Sequence, residues 1–333
     1  MTTIYTRSQL ENVIRSAEVI PAIEEGFVAY SNGKAVIPPV GQLLFENPPG
    51  DCHIKYGNIT GDSTFTIKIA TGFSRNADKG LPTSNGVILV FSSETGALLT
   101  ILQDEGFLTD IRTAAAGAVA AKLLAPRNVD CIGIIGAGIQ ARLQLEYLKE
   151  VVSTRKAMVW ARSRKQAETY QVPGFEVQIA ESIAELASRC RLIVTTTPSH
   201  HWLLGIAHVQ PGTHITAVGA DGGGKQELQA ELVAHAQIRA VDSRKQCAAF
   251  GDSSYALKAG LIRLEDLVEL GQIAQDKSLQ RQNDSQITIA DLTGVAIQDI
   301  QVAKIALQLL SGPAESVNEL GRPAVFRTLG GTG

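Results

Sequence analysis

The pattern with the most chemical content lies in residues 130–165, DCIGIIGAGIQARLQLEYLKEVVSTRKAMVWARSRK. Cys131–Ile135 is an apolar run long enough for one buried strand, and it breaks into Gly136-Ala137-Gly138-Ile139-Gln140-Ala141. Leu143, Leu145 and Leu148 then recur near helical spacing, and Met158-Val159-Trp160 supplies a second apolar run. Strand, glycine turn, helix and strand within about thirty residues is the setting in which G-x-G-x-x-A holds a dinucleotide. Gly136 permits the tight turn, Gly138 lets the backbone approach a pyrophosphate, and Ala141 keeps helix and strand close. The free N–H groups of the helix start, at Ile139 and Gln140, favour phosphate charge. The alternative is a glycine-rich turn that binds no nucleotide.

The end of the second strand bears on which dinucleotide. An NAD site usually carries Asp or Glu about twenty residues beyond the glycines, on the ribose hydroxyls. Here the chain reads Ala161-Arg162-Ser163-Arg164-Lys165. No carboxylate would repel a 2′-phosphate, and the cations and hydroxyl of Arg162, Ser163 and Arg164 could hold one. NADP(H) is the expected cofactor, with NAD(H) as the alternative; a solvated basic helix start is the plain structural reading.

The elements that must position such a site follow from periodicity. Ser8–Tyr30 reads as two short helices interrupted by Pro21. Short strand-like runs follow at Val36-Ile37, Gln42–Phe45, His53–Tyr56, Phe65–Ile69 and Val87–Phe91, separated by Pro- and Gly-rich turns. Ser93–Gly96 reads as a hairpin turn before Ala97–Leu102. Thr109–Ala125 is an alanine-rich helix stopped by Pro126 and small enough to pack closely on all sides. Further strands are expected at Leu192–Thr196, His214–Gly219, Ile238–Asp242 and Ile287–Asp291. Helices are expected around Ser182–Ser188, Lys225–His235, Asp252–Ala259, Leu264–Gly271 and Val295–Leu310. Alternation of this kind implies an α/β fold: a Rossmann-type doubly wound parallel sheet beside a mostly antiparallel α+β domain. The expected division is residues 1–115 with 300–333 for substrate binding and dimerisation, and 116–299 for the dinucleotide. Gly330–Gly333 is expected to be loose.

Bulk properties fit that picture. The chain has 333 residues, 44% hydrophobic and 19% charged, with a formal charge of −3. Nothing in this balance suggests disorder or a nucleic-acid partner, and no apolar run reaches the length of a membrane span. Cys52, Cys131, Cys190 and Cys247 lack metal or redox spacing and, with no secretory signal at the N-terminus, suggest reduced thiols in the cytoplasm. His200-His201 is a conspicuous pair, but adjacent loop residues seldom chelate one ion, so no metal site is expected.

Several pieces together resemble the ornithine cyclodeaminase/mu-crystallin family. They are Phe65-Thr-Ile-Lys68, Gly80-Leu-Pro82, Leu108-Thr-Asp-Ile-Arg112-Thr-Ala-Ala and Gly136-Ala-Gly138-Ile-Gln140. Ala217-Val-Gly219-Ala-Asp221 with Lys225 and Glu227, and Gly294-Val-Ala-Ile-Gln-Asp299, complete the set. The resemblance implies a homodimeric NAD(P)-dependent enzyme acting at the α-carbon of an amino or imino acid. It implies Arg112 as a carboxylate clamp that also touches cofactor, Lys68 as the substrate-binding lysine and Asp221 as the catalytic aspartate. Lys68 would join Asp221 in catalysis. Thr83, Thr113, Ile139, Gln140, Thr197, Val218, Gly219, Lys225 and Thr293 fall at its cofactor- or cleft-lining positions, Thr293 on the substrate side. The chemistry agrees: hydride transfer at an α-carbon needs a carboxylate clamp, a group that handles nitrogen or water protons, and a closed geometry.

One departure concerns the substrate. Where the cyclodeaminase pattern has a glutamate for the side-chain ammonium of ornithine, this chain has Lys55, and the family's upstream arginine is replaced by Gln42 at best. Two lysines, Lys55 and Lys68, would make the pocket cationic and favour a neutral or anionic side chain. The leading expectation is an imine reductase, or amino-acid dehydrogenase in reverse. Ornithine cyclodeaminase is one alternative, and a mu-crystallin-like protein that binds NADPH and a small ligand is another.

Overall fold

The structure is a computed structural model that describes residues 2–311. Two sheets organise it. The first has seven strands, in the spatial order Thr3–Thr6, Leu98–Gln103, Ser84–Ser92, Thr64–Gly72, Pro49–Ile59, Ala35–Val36, with Gly41–Glu46 also paired to Pro49–Ile59. Every pairing is antiparallel except Thr3–Thr6 with Leu98–Gln103, a parallel edge strand that the sequence reading did not contain. The Ser93–Gly96 turn closes by Gly96 N–H donating to the Ser92 carbonyl at 3.0 Å.

The second sheet has eight strands and is parallel throughout. Its order is Glu176–Ile179, Lys156–Trp160, Ile132–Ile135, Leu192–Thr195, His214–Ala217, Thr288–Asp291, Ile238–Val241, Val268–Glu269. Winding reverses between Ile132–Ile135 and Leu192–Thr195, so a crevice opens there at the carboxyl ends of the strands. The central strands are sealed on both faces, which is why they read as unbroken apolar runs. Glu176–Ile179 escaped notice because, at the sheet edge, its residues alternate between exposed and half-buried.

The alanine-rich helix, Phe107–Leu124, lies at the centre. Ala114–Ala116 and Ala118–Ala121 are all buried, so small side chains let helices Ser16–Ser31, Ile139–Leu148 and Ala296–Ser311 approach from several sides. A methyl on Gly117 would lie 1.9 Å from Gln144 Oε1, which shows how close the Ile139–Leu148 helix comes. Helix Ala296–Ser311 packs against strands Pro49–Ile59 and Thr64–Gly72, carrying its first turn to the first sheet.

Three local expectations need correction. Pro21 does not interrupt a helix: Ser16–Ser31 is continuous through it. The lost backbone bond is outweighed by burial of Val19, Ile20, Ile23 and Phe27 on either side, each worth roughly 1.5–3 kcal/mol. Lys225–Gln229 is not helical; that helix is Ala230–His235. The amides that would have turned inward are taken elsewhere, Gln226 by the Ser199 carbonyl and Glu227 and Leu228 by Asp252 Oδ1. Leu264–Gly271 is instead a short 3-10 turn, the strand Val268–Glu269 and the start of helix Leu270–Gln275, because Val268–Glu269 pairs with Ala240–Val241. The expectation for Gly330–Gly333 lies outside the described residues.

Candidate active site

Strand Ile132–Ile135 delivers the chain to the crevice, and Gly136 turns it with φ +124°, a conformation side chains rarely adopt. A methyl there would meet Thr196 Oγ1 at 2.4 Å. Gly138 then caps helix Ile139–Leu148, and a methyl on it would meet nothing within 4 Å. No packing among the described residues therefore demands a glycine at 138, and they leave the space beside the helix start open. Open space beside unpaired amides at the positive end of a ten-residue helix fits a pyrophosphate. Ile139 stands exposed at the same turn. Gln140 faces the other way, its amide donating to the Asp110 carbonyl at 3.1 Å and Oδ1 at 3.2 Å, and so ties this helix to the alanine-rich one.

A buried carboxylate shapes the opposite wall. Glu227 accepts from Thr195 Oγ1 (2.7 Å), Thr197 N–H (2.5 Å), Thr197 Oγ1 (2.7 Å) and Gly219 N–H (2.7 Å). Burial raises its pKa, and these four donors pull against that rise. The hydroxyl of Thr197 is thus spent on the wall rather than offered to the crevice. Gly219 is required by contact: a methyl would lie 2.0 Å from the Thr197 carbonyl oxygen.

At the end of strand Lys156–Trp160, Ser163 caps the helix Arg164–Glu168. Arg164 pairs with Glu181 at 2.5 Å and Glu168 at 3.3 Å, so its charge is already matched. Arg162 is exposed and makes no ion pair among the described residues. Thr83 lies on an exposed loop, its carbonyl accepting from Phe73 N–H at 2.8 Å, and lines neither cavity described below.

The cations converge across the crevice. Lys55 and Lys68 sit directly opposite each other on neighbouring antiparallel strands and so share a face. Lys68 Nζ donates to Asp299 Oδ1 at 2.9 Å, and Arg112 Nε lies 3.1 Å from the same oxygen. Arg112 Nη1 donates to Gln298 Oε1 at 2.5 Å. Lys55 Nζ donates to the Gly294 carbonyl at 2.5 Å and approaches that of Thr293 at 3.5 Å. All three cations and Asp299 are buried. Gly294 has φ +77°, and a methyl on it would sit 2.6 Å from Arg112 Nη1.

Electrostatics follow from one carboxylate among three cations. Burial, with Arg112 and Lys55 adding to it and Asp299 opposing, brings the Lys68 ammonium down to about 7. Burial and then Arg112 lower Lys55 as well. Burial alone would raise the Asp299 carboxyl, but Lys68, Arg112 and Lys55 outweigh it and hold it low. The cluster carries more positive than negative charge and so invites an anion.

Asp221 closes the arrangement. It follows strand His214–Ala217 on a loop, half exposed, with Oδ1 2.6 Å from Lys225 Nζ. Burial would raise its carboxyl; Lys225, then Lys55 and His53, outweigh that and keep it ionised. Two small cavities meet at Asp221. One is lined by Arg112, Thr113, Ala116, Val218, Thr293 and Gln298, among others. The other is lined by Val40, Gln42, His53, Lys55, Gln246 and Phe250, together with Gly222. Thr293 Oγ1 donates to Asp242 Oδ1 at 3.1 Å, and Thr113 Oγ1 to the Thr109 carbonyl at 2.8 Å.

The structure therefore brings Lys55, Arg112, Thr113, Val218, Asp221 and Thr293 to two adjoining cavities, with Lys225 on Asp221 and the glycine turn at the head of the crevice; Lys68 lines neither cavity and is buried beside Arg112 on Asp299. Asp299, Gln298, His53 and Gln246 had been assigned no role. The signal for Asp299 was there: it is the one ionisable residue of the stretch Gly294-Val-Ala-Ile-Gln-Asp299, which it closes.

A dinucleotide-type parallel sheet facing a buried cationic cluster defines a class of protein, and comparison with known proteins identifies the family. Residues 1–311 match the model of the ornithine cyclodeaminase/mu-crystallin family, and the chain belongs to it. It is 38% identical over 310 residues to an alanine dehydrogenase of Archaeoglobus fulgidus, covering 92% of this chain and 94% of that one. To the iminosuccinate reductase of Paracoccus denitrificans it is 30% identical, over 92% and 96% of the two chains. Its fold matches the Δ1-pyrroline-2-carboxylate reductase of Thermococcus litoralis, solved with NADH and L-proline, at a TM-score of 0.87. Identity there is 31%, over 92% of this chain and 97% of that one.

Proposed function

We propose that this protein is a nicotinamide-dependent reductase of 2-imino acids, and in reverse an amino-acid dehydrogenase. The observation that carries the reading is the buried excess of positive charge at Lys68, Arg112 and Lys55, placed across Asp221 from an open dinucleotide turn. The relatives point the same way, being named for alanine, iminosuccinate and pyrroline-2-carboxylate.

The bound dinucleotide would supply or accept a hydride at its nicotinamide ring. The chain's own residues do the rest. Lys68 and the guanidinium of Arg112 hold the α-carboxylate and fix the α-carbon. Asp221, kept ionised by Lys225, stabilises the positive nitrogen of the iminium and holds a proton at the amine nitrogen when the reaction runs backwards. Pyrophosphate would rest on the Gly136–Ile139 backbone.

For the adenosine end we favour NADP(H), because Ala161-Arg162-Ser163 presents no carboxylate and Arg162 is unpaired among the described residues. NAD(H) fits the same crevice, and relatives have been solved with NAD or NADH. The side-chain cavity carries Lys55 where ornithine would place its own ammonium, which disfavours a cyclodeaminase. We also assign a second copy of the chain to the exposed apolar residues Leu43, Leu44 and Phe45 on strand Gly41–Glu46.

The test is loss of reduced-nicotinamide absorbance when NADPH or NADH is mixed with imines formed from 2-oxo acids and ammonia or methylamine, or with cyclic ketimines. Turnover of one imine class, faster with NADPH, is the expected result. Proline and ammonia from ornithine with no net cofactor change would overturn it in favour of the cyclodeaminase. Sedimentation of wild type against Leu44→Glu tests the dimer, which should dissociate in the variant.

A further inference from the structure

The first turn of helix Ala296–Ser311 places Gln298 and Asp299 against the two cations of the carboxylate clamp, from beneath. We propose that Asp299 is the positioning residue of this site: it holds Lys68 as an ammonium and fixes the guanidinium edge of Arg112, so that both cations face one substrate carboxylate, without touching substrate itself. The inference rests on the reductase reading above and adds how its clamp is set.

The geometry is specific. One oxygen of Asp299, Oδ1, accepts a hydrogen bond from Lys68 Nζ at 2.9 Å and lies 3.1 Å from Arg112 Nε as an ion pair. The other, Oδ2, is buried without a hydrogen-bond partner among the described residues. Gln298 Oε1 takes Nη1 of the same guanidinium in a hydrogen bond, while Nε meets Asp299 as an ion pair without a hydrogen bond, so the helix side holds the guanidinium by one hydrogen bond and one charge contact. Nη2 has no hydrogen-bond partner among the described residues and remains for a ligand. The Gln298 amide nitrogen is also buried and unpartnered among the described residues, beside the cavity that Arg112 lines. A carboxylate in the first turn of a helix is further stabilised by the helix dipole, which keeps Asp299 charged.

Lys68 would not remain charged unaided. It is buried, and the groups facing it are Arg112 and Lys55, which oppose its charge, and Asp299 and Asp104, which support it. Asp104 is weakened in that role, since burial raises its own carboxyl. Asp299 is therefore the decisive counter-charge. Neutralising it should lower the ionisation of Lys68 by about one pH unit or more, the usual effect of an opposite charge at this range.

The experiment is the pH dependence of kcat/KM for one imino acid in wild type, Asp299→Asn and Asp299→Glu, with thermal unfolding as a fold control. The substrate's own ionisation is common to all three. In Asp299→Asn the alkaline limb should move at least one pH unit toward acid, with KM rising more than kcat falls; Asp299→Glu should return the limb to the wild-type position. A uniform loss with an unmoved limb would overturn the assignment, because a purely structural role predicts that. If Asp299→Asn does not fold, the double variant Lys68→Met/Asp299→Asn removes both charges together. Loss of the alkaline limb from its residual activity supports the assignment, and a limb left at the wild-type pH overturns it. A wild type that turns over no imine overturns the functional reading, and this inference with it.

Discussion

Under the proposed function, Lys55 is the side chain that would select among substrates. Its ammonium is buried, points at the Gly294 and Thr293 carbonyls, and lines the cavity with Gln42, His53 and Gln246. Gln246 Nε2 donates to the same two carbonyls at 3.0 and 3.2 Å, so they keep a donor if Lys55 is lost. Its function is then its charge. Lys55→Met should fold and should lower kcat/KM for an iminosuccinate-type dicarboxylate about tenfold more than for a neutral imino acid, or about 1.4 kcal/mol. Rates measured on both substrates decide the matter; equal losses would mean the charge faces no part of the substrate.

At the scale of elements, the crevice is shaped by loops that one carboxylate holds together. Glu227 binds the ends of strands Leu192–Thr195 and His214–Ala217 through Thr195, Thr197 and Gly219, and its own amide is held by Asp252 Oδ1 at 2.7 Å. Glu227→Gln would turn an N–H₂ group toward donors, costing roughly 1–3 kcal/mol. Denaturant unfolding should register that loss, and titration with dinucleotide should show affinity weakened about tenfold. Unchanged dinucleotide affinity would mean that Glu227 supports stability alone. This network also explains what could be read from the sequence. The strand–turn–helix at Ile132–Leu148 was legible because its signals are local: an apolar run, glycines, then helical spacing. Lys225–Gln229 was misread as helix because the partners that unwind it, Ser199 and Asp252, are distant in the chain. Asp299 was quoted in a motif yet given no role, since its meaning depends on Lys68 and Arg112, which only the packed helix brings beside it.

Across the whole molecule, the buried cations gather on one side of the crevice and most of the buried acids on the other, Asp104 and Asp299 being the acids set among the cations. The antiparallel-sheet side and its helices hold Lys55, Lys68 and Arg112; the parallel sheet and its loops hold Glu227, Asp242, Asp252 and Asp291. Folding bears the cost of burying these groups in a pH-dependent way. Asp291 ends strand Thr288–Asp291, accepts from Ser253 N–H at 2.7 Å, and lies near Asp242; burial raises its carboxyl from 3.8 to about 7. Below the unfolded value both states are protonated and there is no penalty. As pH rises toward 7 the unfolded chain loses a proton that the folded chain keeps, so stability falls across that window. Lys68 acts in the opposite sense at higher pH: the folded ammonium loses its proton near 7 and the unfolded one near 10.5, so its contribution rises between them. Asp291→Asn keeps an oxygen for Ser253 and removes the first titration. Its unfolding free energy relative to wild type should therefore climb from pH 4 to 7, by an amount on the order of a few kcal/mol, and level off above. Denaturant unfolding at several pH values across that range gives the difference directly. A flat difference would mean that Asp291 ionises normally in the folded protein, its charge absorbed by the loops it binds.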